Sequence, residues 1–416
     1  MNNLIADEKV IFRTKNPKET YCYTPSILRV GKRLVVSLDI GGKRDEYYRD
    51  EKYSELFRTM TGVIMVSEDD GETFETVGYF PYYHARLFSD GDTVYLIGHN
   101  KDIMIKASFD GGKTWGETSR LTENEHYCMA ATGVLKNNGY IYVPGEKVIN
   151  HEILEHAWEP AGTGPVLFRA KCGDDLLNPE SWTLSETKSF VDCFGYNRRF
   201  DNFGVPFLDC AGKTSVMLAN RDMSPIGWLE SNAVKIHDKD HVWYSENAIH
   251  IFMRTHTGGT GYCAMVKVTE SEDKKMKMEF EKAPSGENLV FLPLPGGQMK
   301  FRVLYDEKTE LYWLLSSQAT DSMTDIWKLP DNRYNLPNNE RHRLQLHFSK
   351  NMVDWCFAGM VAMGESALES RHYGDMIIDG DDLLIVSRSG DKDAATAHNG
   401  NIITFHRVKN FRELIY

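Results

Sequence analysis

The chain has 416 residues and sets 60 Asp and Glu against 48 Lys and Arg, a net charge of −12 with no Lys/Arg run, which argues against nucleic-acid and anionic-membrane partners. No stretch reaches the roughly 18 apolar residues of a membrane span, and "MNNLIADEKVIF" lacks the basic region and long apolar core of a secretory signal. Seven cysteines, odd in number and without CxxC spacing, read as free thiols of a cytoplasmic protein.

The length exceeds the roughly 250–300 residues at which single cores stop growing, so repeated units are expected within one domain spanning 1–416. Short apolar runs alternate with turn signals along the whole chain, as strands do. "EKVIFRT" (8–14) reads as a lone strand. "PSILRVGKRLVVSLD", a hairpin turning at Gly31, and "GVIMVSEDDGETFETVGYF" form a first four-stranded unit. "HARLFSDGDTVYLIGHN" and "DIMIKASFDGGKTW" form the second. "AATGVLKNNGYIYVPGE", "GPVLFRA" and "SWTLSET" form the third. Residues 187–228 break the rhythm and read as an insertion, with "TSVMLAN" a further candidate strand. "ESNAVKIHDKDHVWYSENAIHIFMRT", "GYCAMVKVTE" and "KMEFEK" form the fourth unit. "QMKFRVLYDEKTELYWLLSSQ" and "HRLQLHFSKNMVDWCFAG" form the fifth. "HYGDMIIDGDDLLIVSRSG" and "NIITFHRV" give three strands of a sixth. The lone strand 8–14 supplies its fourth and closes the ring, leaving no open sheet edge. The fold class is all-β, a six-bladed propeller, or seven-bladed if the insertion hides a blade.

Two hairpins carry the same clip. "SEDDGETF" places Ser67, Asp69, Gly71, Thr73 and Phe74 at the offsets at which "SFDGGKTW" places Ser108, Asp110, Gly112, Thr114 and Trp115. Asp at such a position bonds the amides that follow it, and glycine permits the positive φ of the turn. "SKNMVDW" (349–355) is a weaker copy, one residue short before its Trp.

This clip resembles the Asp-box, or BNR repeat, of sialidases and related propeller enzymes. "WLESN", "LPGGQMKFRVLYDEKTELYWLLS" and "AHNGNIITFHRVKNFREL" resemble blocks of a bacterial branch of sialidase-like glycoside hydrolases, and put Glu230, Lys300 and His398–Asn401 near a site. The resemblance implies a sialidase-like propeller whose clips lie on the face opposite the active site. The chain departs from sialidases in one respect. Where they open blade one with a carboxylate-binding Arg, this chain has Thr24 before Pro25.

On the face away from the clips, register brings polar groups to one rim. Second strands end at Asp39, His99, Glu146, Arg254, Gln318 and Arg388. First strands begin near Ser26, His84, His126 with Tyr127, Glu230, Lys300, and Arg371 with His372. Third strands begin near Asp102 and near His398 with Asn399. Arg254, Arg371, Arg388 and Lys300, with His372, His126, His398 and Gln318, are the candidate substrate-binding residues. Clustered cations in an acidic chain suit a carboxylate held by Arg forks. Glu146, Glu230, Asp39, His84, His99 and Tyr127 are the candidate acids, bases and nucleophiles. The spacing of His84, His99 and His126 matches no local metal motif, so neither a metal nor a cofactor is expected. The expected ligand is an acidic monosaccharide or oligosaccharide. The expected function is an exo-acting glycosidase that removes a terminal sialic- or uronic-type sugar. Two alternatives are a uronate lyase, which propeller lyases resemble in the order His84, His99, Tyr127, and a carbohydrate-binding propeller without chemistry.

Overall fold

The computed structural model describes residues 4–43, 60–152, 159–194, 201–202, 205–206, 227–255, 261–271, 275–321, 324, 328, 340–366 and 368–416. "TSVMLAN" lies outside the described residues. Six antiparallel sheets follow one another as blades around an axis. Blade one runs Thr20–Val30, Arg33–Gly42, Thr61–Ser67 and Glu75–Phe80. Blade two runs Tyr83–Asp90, Thr93–Asn100, Asp102–Ser108 and Ser119–Arg120. Blade three has a divided inner strand, Tyr127–Cys128 and Leu135–Asn137, then Tyr140–Val148, Thr163–Lys171 and Trp182–Leu184. Blade four runs Trp228–Val234, Ala248–Thr255, Tyr262–Glu270 and Met276–Glu279. Blade five runs Arg302–Asp306, Leu311–Ser317, Arg343–Ser349 and Cys356–Met363. Blade six runs Arg371–Asp379, Asp382–Ser389 and Ile402–Val408, and takes its outer strand, Asp7–Arg13, from the other end of the chain.

That closure is locked by a fork. Arg371 donates from Nε and Nη2 to the two Glu8 carboxylate oxygens at 2.7 and 2.6 Å, the bidentate geometry that makes Arg–carboxylate pairs strong. The apolar core is distributed rather than central. Six clusters of buried side chains each fill the space between two neighbouring blades. In the cluster between blades three and four, Phe190 of the short helix Phe190–Phe194 meets the Trp228 ring edge-on at 5.2 Å. Each blade is buried on both faces, which is why the inner strands read as near-continuous apolar runs.

Near the axis, polar groups link neighbouring inner strands. Ser26 Oγ donates to Asp375 at 2.8 Å and accepts from Leu87 N. Arg86 reaches the Gly133 carbonyl at 3.2 Å. Ser231 N donates to Glu146 at 2.7 Å. Asn232 bonds both the Phe301 carbonyl and Val303 N at 3.2 Å. Arg302 reaches Asp375 at 3.0 Å. All six interfaces are therefore joined by bonds that satisfy buried polar groups.

The clips have the expected geometry. Asp110 accepts from Ser108 Oγ, Lys113 N, Thr114 N and Thr114 Oγ1 at 2.6–3.1 Å. Asp69 accepts from Ser67 Oγ, Thr73 N and Thr73 Oγ1 at 2.6–2.8 Å. In the third clip Asn351 takes the Asp position and bonds Val353 N and Asp354 N. Met352 there has φ +65°, matching Asp70 at +61° and Gly111 at +71°.

Candidate active site

Four inner strands carry the same irregularity in the same place. Blade one slips register between Tyr23 and Ser26, blade two between Tyr83 and Arg86, blade four between Leu229 and Asn232, and blade six between His372 and Asp375. Each is a bulge in which two residues oppose one, a device that re-aims a side chain. In blade one, Pro25 occupies the bulge, where its missing N–H costs no ladder bond. In the other three, the first bulged residue has a positive φ: His84 at 51°, Glu230 at 60° and Tyr373 at 51°. Large side chains adopt that conformation rarely and at a cost of about 1–3 kcal/mol, and such strain clusters at functional sites. Gly374 follows Tyr373 because a Cβ there would stand 2.6 Å from Leu315 Cδ2.

The bulges bring Tyr373 and Glu230 together across the axis. The Tyr373 hydroxyl donates to Glu230 Oε1 and accepts from Arg254 Nη1 at 2.8 Å. Arg254 Nη1 also lies 3.4 Å from both Glu230 oxygens, and its Nε donates to the Gln298 carbonyl at 2.8 Å. Three more cations surround the Tyr373 ring, with Arg388 at 5.2 Å, Arg341 at 5.3 Å and Lys300 at 5.9 Å from its centroid. Burial, and then the Glu230 charge, raises the Tyr373 pKa, while Arg254 and Arg341 oppose the rise. Burial pulls Lys300 down to about 8 and Arg341 down to about 10.

The neighbouring carboxylates support the bulges. Asp39, at the end of the second strand of blade one, accepts from His84 N at 2.9 Å. Glu146, at the matching place in blade three, accepts from Ser231 N at 2.7 Å and Ser231 Oγ at 2.5 Å, directly after Glu230. Burial raises Asp39 well above the usual carboxyl range and lifts Glu146 to about 7. Lys300 Nζ likewise holds the Gly374 carbonyl at 2.7 Å.

On the blade-two side, His84 and His99 meet edge to face at 5.4 Å. The main chain of Met129 bonds the Nδ1 of each. Burial lowers His84 to about 4 and His99 well below its usual value. On the blade-six side, the Arg388 guanidinium stacks 4.1 Å over the Tyr23 ring and donates to the His398 carbonyl and to His398 Nδ1. His372 Nδ1 accepts from Arg341 at 2.9 Å. Burial first, and then the Arg cations, hold His372 and His398 neutral.

The structure thus gathers Glu230, Arg254, Lys300, Arg388, His372, His398, His84, His99, Asp39 and Glu146 around one axis. It places three other candidates, Arg371, Tyr127 and His126, differently. Arg371 is turned to Glu8 and to the Ser370 and Gly390 carbonyls, so its guanidinium is committed to closing the ring. Tyr127 packs on Phe168 in the core between blades two and three, 5.4 Å between centroids. His126 stacks on His151 and lies 3.8 Å from Glu159. Gln318 is bonded through its main-chain N to the Arg343 carbonyl. Tyr373 and Arg341 were not legible as site residues. Both directly precede or follow positions read as strand starts, and the tyrosine–glycine pair inside "RHYGD" was the available signal.

No family model and no curated relative matches the sequence. Solved structures do match. A protein of unknown function from Dyadobacter fermentans superposes with a TM-score of 0.52 at 12% identity, over 96% of this chain and 97% of that one. Trypanosoma rangeli sialidase in complex with sialic acid gives 0.54 at 12% identity, over 100% of this chain, which spans 61% of the sialidase. Penicillium chrysogenum α-L-arabinanase with arabinobiose gives 0.51 at 11% identity, over 98% and 99%. At these identities the likeness establishes architecture, and the chain has the six-bladed, sialidase-like propeller fold.

Proposed function

We propose that the protein is an exo-acting glycosidase that removes a terminal acidic sugar, with Tyr373 as nucleophile and Glu230 as its base. The observation that carries this reading is the Tyr373 hydroxyl, which donates to Glu230 and accepts from Arg254 while resting on a strained bulge. A phenol is a weak nucleophile until a base takes its proton, and Tyr in this role is a recognised exception among glycosidases. In the reaction the Tyr373 oxygen attacks the anomeric carbon, its proton passes to Glu230, and the bond to the leaving oxygen breaks, that oxygen departing as an anion that solvent protonates. Water then cleaves the tyrosyl–sugar bond, its oxygen bonding the anomeric carbon and its surplus proton passing to solvent, while Glu230 returns its proton to Tyr373. The glycosyl–enzyme intermediate makes the reaction a retaining one. Arg254, Arg341 and Arg388 surround the ring with fixed positive charge, suited to a sugar carboxylate and to the developing phenolate. The sialidase and arabinanase likenesses favour a sugar ligand, and the cations favour an acidic one.

The test uses aryl glycosides, whose leaving groups need no proton and so isolate the Tyr373 step. Aryl glycosides of sialic or glucuronic acid are expected to turn over, and aryl arabinofuranosides to be inert. Turnover on the neutral glycoside alone overturns the acidic assignment. A neutral His84 in the same pocket favours a second reading as a uronate lyase with His84 as base. A product with ultraviolet absorbance from a new double bond separates that reading from hydrolysis. Binding of acidic sugars without turnover of either kind points to a carbohydrate-binding propeller.

A further inference from the structure

The Tyr373 centre leaves unused a cluster on the blade-two side, His84, His99 and Cys128, whose donor atoms lie within 4.8 Å of one another. The main chain of Met129 decides its chemistry. The Met129 carbonyl lies 2.5 Å from His84 Nδ1, and the Met129 N–H lies 3.2 Å from His99 Nδ1. A carbonyl only accepts and a main-chain N–H only donates. The two neutral rings are therefore held in opposite tautomers. His84 carries its proton on Nδ1 and a lone pair on Nε2. His99 carries its lone pair on Nδ1 and its proton on Nε2.

A metal ion does not fit this set. A ligating histidine offers a lone pair to the metal and donates from its other nitrogen. His84 meets that pattern, but His99 accepts where it would have to donate. A carboxylate does not fit either, because it has no proton for His84. An ammonium does not fit, because it accepts nothing from His99. A hydroxyl does both, donating once and accepting through its lone pairs. His84 stands on the same kind of bulge as Glu230 and Tyr373, and its ring feels the charge of Glu230.

We propose that His84 and His99 form a neutral specificity subsite for one hydroxyl of the sugar held at Tyr373, with His84 Nε2 accepting from that hydroxyl and His99 Nε2–H donating to it. The proposal rests on the glycosidase reading of the Tyr373 centre. Asp39 serves as a positioning residue, because its bond to His84 N fixes the bulge.

Long-range 15N–1H correlation spectra of the histidine rings at neutral pH test it in the unmodified protein, with N-acetylneuraminic acid and glucuronic acid as probes. His84 is expected as the Nδ1–H tautomer and His99 as the Nε2–H tautomer. Both Nε2 signals are expected to move when a probe binds and to stay put on adding Zn2+. Among singly deoxygenated forms of the binding probe, one should bind about ten- to hundredfold more weakly than its parent. That penalty should vanish in His84→Ala. Matching tautomers, a protonated His84 at neutral pH, Zn2+-induced shifts of both Nε2, or a probe that binds without moving them each overturns the proposal. If neither probe binds and no acidic aryl glycoside turns over, the function on which the subsite rests falls with it. If the glycosides turn over and only the histidine signals fail to respond, the subsite alone falls.

Discussion

Arg254 Nη1 donates to the Tyr373 hydroxyl at 2.8 Å, which directs that hydroxyl's own proton to Glu230. Residues 119 and 143 positions apart in the chain thus share one oxygen. Tyr373→Phe removes that oxygen and little else. It is expected to keep the fold and to cut turnover of an acidic aryl glycoside by about a hundredfold or more. Glu230→Gln should do the same while preserving most of the affinity for the free acidic sugar. Circular dichroism and calorimetry separate these effects from misfolding, and a Tyr373→Phe enzyme with ordinary turnover would refute the assignment.

Arg371 is expected to matter for stability and not for the ligand. Its fork to Glu8 joins the first strand of the chain to the last blade. Arg371→Gln breaks two charge-assisted bonds in a half-buried setting, a loss of about 1–3 kcal/mol. Chemical denaturation should detect the loss, and titration with an acidic sugar should give an unchanged Kd. A weakened Kd with full stability would return Arg371 to the site.

How far the sequence revealed the protein depends on which interactions place a residue. Blade order, the clips and the closing strand are local or periodic features, and the apolar runs and turn residues carry them. The chain-end strand expected at 8–14 is Asp7–Arg13 in the structure. The rim also follows from strand order, so Glu230, Arg254 and Arg388 were reachable. Bulges are not periodic. Each adds one residue to its strand and leaves little trace in composition, so nothing in the pattern sets Tyr373 apart from His372. Arg371 looked like its neighbours because nothing in "SRHYGD" reveals a partner at Glu8, which lies at the other end of the chain.

Glu146 gives a pH signature. Its folded value of about 7 lies above the ordinary 4.5 because burial disfavours the charge. Between those values the folded protein keeps a proton that the unfolded chain has lost. The contribution is therefore full below about pH 4.5, falls as pH rises, and is gone above about 7. Neutral Glu146→Gln, which still accepts from Ser231, removes the dependence. The stability difference between wild type and variant should change by about 3 kcal/mol across this window. Subtracting the variant cancels the opposing histidines, such as His406, whose own value burial lowers to about 4. A difference flat with pH would contradict the account.

Asp110 closes a turn on the face away from the site. Its pKa falls to about 2, chiefly through the Thr114 hydroxyl and amide. The stabilisation is therefore present above the usual Asp value near 4 and is lost as pH falls toward 2. Asp110→Ala should cost about 1 kcal/mol at neutral pH for this exposed turn and leave turnover per folded molecule unchanged. Lost turnover at full stability would show that the clip does more than hold its hairpin.

The most direct test of the central claim is to trap the intermediate. Trypanosoma rangeli sialidase has been captured with 2,3-difluorosialic acid as a covalent intermediate. The corresponding fluorinated sialosyl and glucuronosyl fluorides, incubated with this protein and followed by peptide mass spectrometry, report which side chain bonds the sugar. The account predicts one glycosyl adduct, on the peptide from His372 to Arg388, carried by Tyr373 and absent from Tyr373→Phe. An adduct on any other residue, or hydrolysis of the parent glycoside that persists in Tyr373→Phe with no adduct formed, would contradict it.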